Sequence, residues 1–181
     1  MSMIENLKES HVLFVDDEDD ILNVMKRMMI DEIDHIFTAN NVELALEIFN
    51  NNQIDVVVLD YKMPQKNGLT LLKEFKALKP KTVFIMITGY GDKEIIQNAL
   101  RDDIFDVIDK PFDNKYIKKT ILNAIQKSHY QAVVADVVDT FISNYARLEF
   151  QDFSKLNYED REKIIQTVLE LTRNRIKNKI K

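Results

Sequence analysis

The strongest constraint on this chain is an alternation along its first two thirds. Short runs rich in β-branched residues fall at His11–Val15, Asp34–Thr38, Asp55–Leu59, Thr82–Ile87 and Phe105–Ile108. Between them lie longer amphipathic stretches: Asp19–Ile30, Val42–Asn51, Leu69–Leu78, Lys93–Leu100 and one starting near Asn114. Strands alternating with helix-length connections predict an α/β domain built on a doubly wound, five-stranded parallel sheet. Val56–Leu59 and Val83–Ile87 are apolar without interruption, as central strands covered on both faces must be.

With 181 residues the chain has room for one domain and an appendage. A hydrophobic share of 45 % allows a real core, and a net charge of −5 argues against a general binder of nucleic acid or anionic membrane. The absence of cysteine excludes disulfides, thiol catalysis and cysteine-ligated zinc. No stretch has the apolar length of a signal peptide or a membrane span, so the expected location is the cytoplasm.

The glycines point to one end of the sheet. Gly68, Gly89 and Gly91 are the only three, and all follow the third and fourth strands. In open parallel sheets the ligand site lies at the carboxyl ends of the strands. There this sequence places Val15-Asp16-Asp17-Glu18-Asp19-Asp20, Leu59-Asp60-Tyr61-Lys62-Met63-Pro64, Ile87-Thr88-Gly89 and Asp109-Lys110-Pro111-Phe112. Two or three carboxylates, a hydroxyl and an ammonium would then face one cavity. Crowded carboxylates repel, so a hard divalent cation is needed to hold them, and an oxygen-only donor set suits Mg²⁺. A carboxylate so neutralised can attack phosphorus, with Lys110 and the cation stabilising the charge and Thr88 bonding a phosphoryl oxygen. Glu18, Asp19 and Asp20 read as the first turn of a helix, favoured by its dipole. Asp55, Asp106 and Asp109 read as solvated strand-edge charges.

These four motifs, in this order and spacing, resemble the receiver domain of two-component response regulators over roughly Glu9 to Lys127. The resemblance implies a flavodoxin-like (CheY-like) sheet of strand order 2-1-3-4-5. It implies Asp60 as phosphoacceptor, with Mg²⁺ on Asp16, Asp17, Asp60 and the backbone carbonyl of Lys62. Thr88 would be the switch hydroxyl and Lys110 the phosphate-contacting lysine, with a cis peptide before Pro111. The donor would be a histidine kinase or a phosphotransfer protein. Such a chain is a signalling phosphoprotein, not an enzyme in the ordinary sense. One position departs from the pattern: the family's switch aromatic falls at Val107, so the coupling should run by another route. Tyr90 and Lys62 occupy positions that tune dephosphorylation in the family.

Domain boundaries are expected at 1–127 for the receiver and 128–181 for a helical extension. From Tyr116 onward there is no glycine or proline, and the helix starting near Asn114 is expected to run to Leu148. Val134, Val138, Phe141, Tyr145 and Leu148 form a coiled-coil-like stripe. A second helix capped near Asn157–Asp160 would carry Ile164, Ile165, Val168, Leu169, Thr172 and Ile176 on one face, giving an all-α hairpin. Two such stripes call for a partner, so a homodimer or a helical partner is expected through 128–181. The tail is nearly neutral and poor in turns, which disfavours a DNA- or RNA-binding output. His129 is followed by Tyr130 rather than an acidic residue, so it reads as a surface or interface histidine and not as a phosphorelay group.

Overall fold

The computed structural model describes residues 5–64, 66–89, 91–92 and 104–145. In chain order the elements are α1 (Glu5–Lys8), β1 (His11–Val15), α2 (Asp19–Met29), β2 (His35–Ala39), α3 (Val42–Asn51), β3 (Val56–Asp60), α4 (Gly68–Leu78), β4 (Val83–Thr88), β5 (Asp106–Asp109) and α5 (Asn114–Tyr145). The strands form one parallel sheet in the order β2-β1-β3-β4-β5. This is the expected doubly wound order.

The sheet is apolar on both faces because a layer covers each. Leu13, Val15, Val57, Leu59, Phe84 and Met86 face α3 and α4, which bring Ala45, Phe49, Leu71, Leu72 and Phe75. Their neighbours Val12, Phe14, Val56, Val58, Ile85 and Ile87 face the other way, against Leu22, Met25 and Met29 of α2 and Ile117, Ile121 and Ile125 of α5. Burying each such side chain stabilises the fold by roughly 1.5–3 kcal/mol. That is why β3 and β4 show no polar alternation. Asn41 and Asn67 cap α3 and α4 by accepting from the backbone amides of Leu44 (2.8 Å) and Thr70 (3.2 Å).

Several boundaries differ from the sequence reading. The strands β2, β3, β4 and β5 each begin and end one residue later than expected, finishing at Ala39, Asp60, Thr88 and Asp109, because the ladder pairs Val15 with Ala39, Asp60 with Ile87 and Thr88 with Asp109. The single turn α1 was not expected; Leu7 packs on the core and the carbonyl of Lys8 accepts from Asp34. Asp55 and Asp106 are not free strand-edge charges. Asp55 accepts from the His11 amide at 2.9 Å, and Asp106 from the Val107 amide and the Tyr116 hydroxyl, each at 2.8 Å. His129 is half-buried, with Nε2 3.0 Å from the Ser10 hydroxyl.

Ile4–His129 forms one compact unit, and residues from Tyr130 on belong to another. Helix α5 covers the expected start near Asn114 and runs to Tyr145. The expected helix at Lys93–Leu100, Tyr90, and the second helix of the tail lie outside the described residues, as does the rest of the apolar stripe. Among the described residues no helix is long and apolar enough to cross a membrane.

Candidate functional site

Parallel pairing brings the ends of β1, β3, β4 and β5 to one edge, and the sequence loads those ends with polar side chains. Asp16 follows β1, and its amide extends the ladder by donating to Ala39 at 3.2 Å. Asp60 and Thr88 are the last residues of β3 and β4, and Lys110 follows β5. Asp16, Asp60 and Thr88 are all buried, at 1 %, 4 % and 0 % exposure, although each is polar. Buried carboxylates are costly unless compensated. The compensation here is one ammonium.

Lys110 Nζ lies 2.8 Å from Asp16 Oδ2 and 2.9 Å from Asp60 Oδ1. Glu18 Oε1 stands further off, at 3.6 Å. The remaining carboxylate oxygens take backbone amides: Asp16 Oδ1 accepts from Glu18 at 3.0 Å, and Asp60 Oδ2 from Lys62 at 2.9 Å. Burial pushes the carboxyls of Asp16 and Asp60 above the usual carboxylate range; hydrogen bonds from Lys110 oppose this without cancelling it. Burial works against the charge on Lys110, but its bonds to Asp16 and Asp60 outweigh that and hold its pKa above the ordinary lysine value. Among the described residues the Thr88 hydroxyl makes one long bond, 3.4 Å, to the Gly89 carbonyl. The Lys110–Pro111 peptide is cis.

Not every expected residue joins this cluster. Asp17 is exposed, and among the described residues no three acidic or histidine side chains converge closely enough to hold a metal ion. The side chain of Lys62 points to Asp92, with Nζ 2.6 Å from Oδ2. Val107 is buried in the core beside Met86. Sequence reasoning missed Asp92, for which the only signal was a glycine–aspartate pair in the loop after β4. It also treated Glu18 as a helix-turn residue alone, without its proximity to Lys110.

The donor chemistry nevertheless fits a hard divalent cation. Asp16 and Asp60 offer buried oxygens whose charge needs a cation, Asp17 is adjacent and unconfined, and the loop after Asp60 is held close by the Lys62 amide. Gly68 makes that loop possible: a Cβ there would lie 2.3 Å from the Asp60 carbonyl oxygen, and its amide donates to Tyr61 at 2.9 Å.

The response regulator receiver domain family matches this chain over residues 12–122. The chain belongs to that family. This receiver is 32 % identical over 117 residues to the regulatory protein AtoC of Escherichia coli K12, covering 65 % of this chain and 25 % of AtoC. It is 31 % identical over 127 residues to the response regulator SaeR of Staphylococcus aureus USA300, covering 68 % of this chain and 55 % of SaeR. The chain thus spans about a quarter of AtoC and just over half of SaeR. Among solved structures, the receiver domain protein from Clostridium thermocellum superposes with a TM-score of 0.63 at 32 % identity, over 68 % of this chain and 99 % of that one. A CheY-like receiver from Methanospirillum hungatei gives a TM-score of 0.62 at 24 % identity, over 67 % and 98 %, a likeness of fold alone. Receiver domains are signalling modules rather than ordinary enzymes, and this receiver is homologous to two-component response regulators.

Proposed function

We propose that Asp60 accepts a phosphoryl group from a phosphohistidine of a kinase or phosphotransfer protein. An Asp60 carboxylate oxygen attacks phosphorus, the P–N bond breaks, and the departing imidazole keeps the electron pair and takes a proton. The observation that carries this reading is the shared ammonium: Lys110 Nζ touches both Asp60 and Asp16 at a strand-end edge shielded from water. Asp16, Asp17, Asp60 and the Lys62 carbonyl would hold Mg²⁺, which supplies charge neutralisation at the acceptor. Lys110 then stabilises the charge on the transferred oxygens, and the Thr88 hydroxyl, weakly engaged, is available to bond one of them. The protein would act in the cytoplasm as a receiver of 1–127 with an output extension of 128–181.

The output we infer is control of homodimerisation or of a helical partner through that extension. Helix α5 supports it, since the element that packs Ile117, Ile121 and Ile125 on the sheet continues to Tyr145. An RNA- or DNA-binding tail and a phosphorelay intermediate are the alternatives, and no observation favours either.

The test is incubation of the full chain with Mg²⁺ and acetyl phosphate, read by intact mass. A single phosphoryl adduct, labile to hydroxylamine and absent from Asp60→Asn, supports the reading. An adduct that persists in Asp60→Asn, or none in wild type, refutes it.

A further inference from the structure

One ion pair joins the loops that follow the neighbouring strands β3 and β4. Lys62 lies two residues past Asp60 and Asp92 four past Thr88, and Lys62 Nζ is 2.6 Å from Asp92 Oδ2. That oxygen is closed off from water. Among the described residues, the lysine ammonium is the charge that compensates it. The side chain of Lys62 is 65 % exposed while that of Asp92 is 22 % exposed. The carboxylate is therefore the held partner and the ammonium the movable one. Its root is already fixed at the acceptor, because the Lys62 amide donates to Asp60 Oδ2 at 2.9 Å. The Asp92 carboxylate raises the Lys62 pKa, so the lysine stays charged at neutral pH. Just before Asp92 the chain turns through Gly91, whose φ of 96° few other residues adopt.

We propose that the Lys62–Asp92 pair is a latch that opens when Asp60 is phosphorylated; this rests on Asp60 being the acceptor. A phosphoryl group brings close to two negative charges to the carboxylate at which the Lys62 side chain is rooted. Against it stands the single charge of Asp92. When the ammonium moves to the phosphoryl oxygens, Asp92 Oδ2 is left shielded from water without a counter-charge, a costly state. The loop after β4 then rearranges until that oxygen is hydrated. Phosphorylation at β3 is thus passed to the loop after β4 through a cation, a route that needs no ring at the position of Val107.

The test uses the full chain with Mg²⁺ and beryllofluoride as the phosphoryl mimic. Affinity is measured by fluorine NMR for wild type, Asp92→Asn, Lys62→Gln, Lys62→Arg and the two double variants. Releasing the lysine in Asp92→Asn tightens mimic binding about threefold, the size of a partly exposed ion pair. In the Lys62→Gln background the same Asp92→Asn change has no effect, and in the Lys62→Arg background its effect returns. The backbone amide resonance of Gly91 shifts when the mimic binds wild type, and Asp92→Asn alone moves it the same way. An Asp92→Asn effect of equal size with and without the lysine, no effect at all, or a Gly91 resonance indifferent to the mimic overturns the latch. Failure of wild type itself to bind beryllofluoride overturns the acceptor reading and the latch together.

Discussion

Replacing Asp60 with asparagine should stabilise the metal-free protein at neutral pH, although it deletes a charge that touches a lysine. Asp60 is 4 % exposed and shares the Lys110 ammonium with Asp16, which is 1 % exposed. At an effective dielectric of about 20, losing attraction to Lys110 at 2.9 Å costs roughly 6 kcal/mol, and relieving repulsion from the Asp16 carboxylate on the same ammonium returns roughly 3 kcal/mol. Relief of desolvation returns several kcal/mol more, about 4 for a carboxylate this deep. The balance is a gain of about 1 kcal/mol, and its sign agrees with the raised pKa of Asp60. For a unit of this size that is about 3 °C in Tm, readable by circular dichroism in EDTA at pH 7. The pH dependence follows from the same sign. A carboxyl whose folded pKa is raised makes its native state relatively more stable as pH falls through that value. The advantage of asparagine is therefore largest at neutral pH and fades on acidification toward 3.8, the unperturbed value. Millimolar Mg²⁺ should stabilise wild type by mass action and not the variant, narrowing the gap. A metal-free Asp60→Asn protein less stable than wild type by 1 kcal/mol or more would show that Lys110 already compensates both carboxylates.

Two further perturbations probe the same edge. Lys110→Met leaves Asp16 and Asp60 without their shared cation and should cost about 2–3 kcal/mol at pH 7, a buried-pair loss reduced because the lysine is partly exposed. Chemical denaturation should show the loss shrinking at low pH as the carboxyls protonate, and a loss independent of pH would mean the lysine acts through packing. Gly68→Ala drives a methyl group into the Asp60 carbonyl oxygen and should cost about 1–3 kcal/mol while slowing acyl-phosphate formation; wild-type Tm and rate would disprove the close approach.

The layering was legible because it is written in repeating pattern. Val56–Leu59 cannot be half-exposed in any register, so both faces had to be covered, and the order of motifs then placed four polar strand ends together. Side-chain commitments were not legible. Asp106 is separated from Tyr116 by ten residues, and nothing in their spacing says that the hydroxyl reaches the carboxylate at 2.8 Å. The same holds for Lys62 and Asp92, whose meeting depends on how two loops turn. Asp17 shows the converse. Its motif assigned it to the cluster, but it lies past the end of β1, where no ladder bond aims its side chain, and it stays exposed.

The one-residue shift of the strands toward their carboxyl ends carries a mechanical consequence. Asp60 and Thr88 lie inside the ladder, flanked by the bonds from Tyr61 to the Ile87 carbonyl at 2.8 Å and from Lys110 to the Thr88 carbonyl at 2.6 Å. Their backbones cannot shift without breaking sheet hydrogen bonds. Asp17, Lys62 and Asp92 stand outside the strands, and their side chains answer to charge rather than to the ladder. The chain therefore divides its polar edge into a rigid part that presents the proposed acceptor and a compliant part whose ion pairs can be exchanged. Positioning for phosphoryl transfer tolerates little displacement, whereas a switch requires displacement. With Val107 buried in the core beside Met86 and offering no ring to move, the compliant part has to lie in the loops, where exchange of one ammonium between two anions is the smallest event that can start the change.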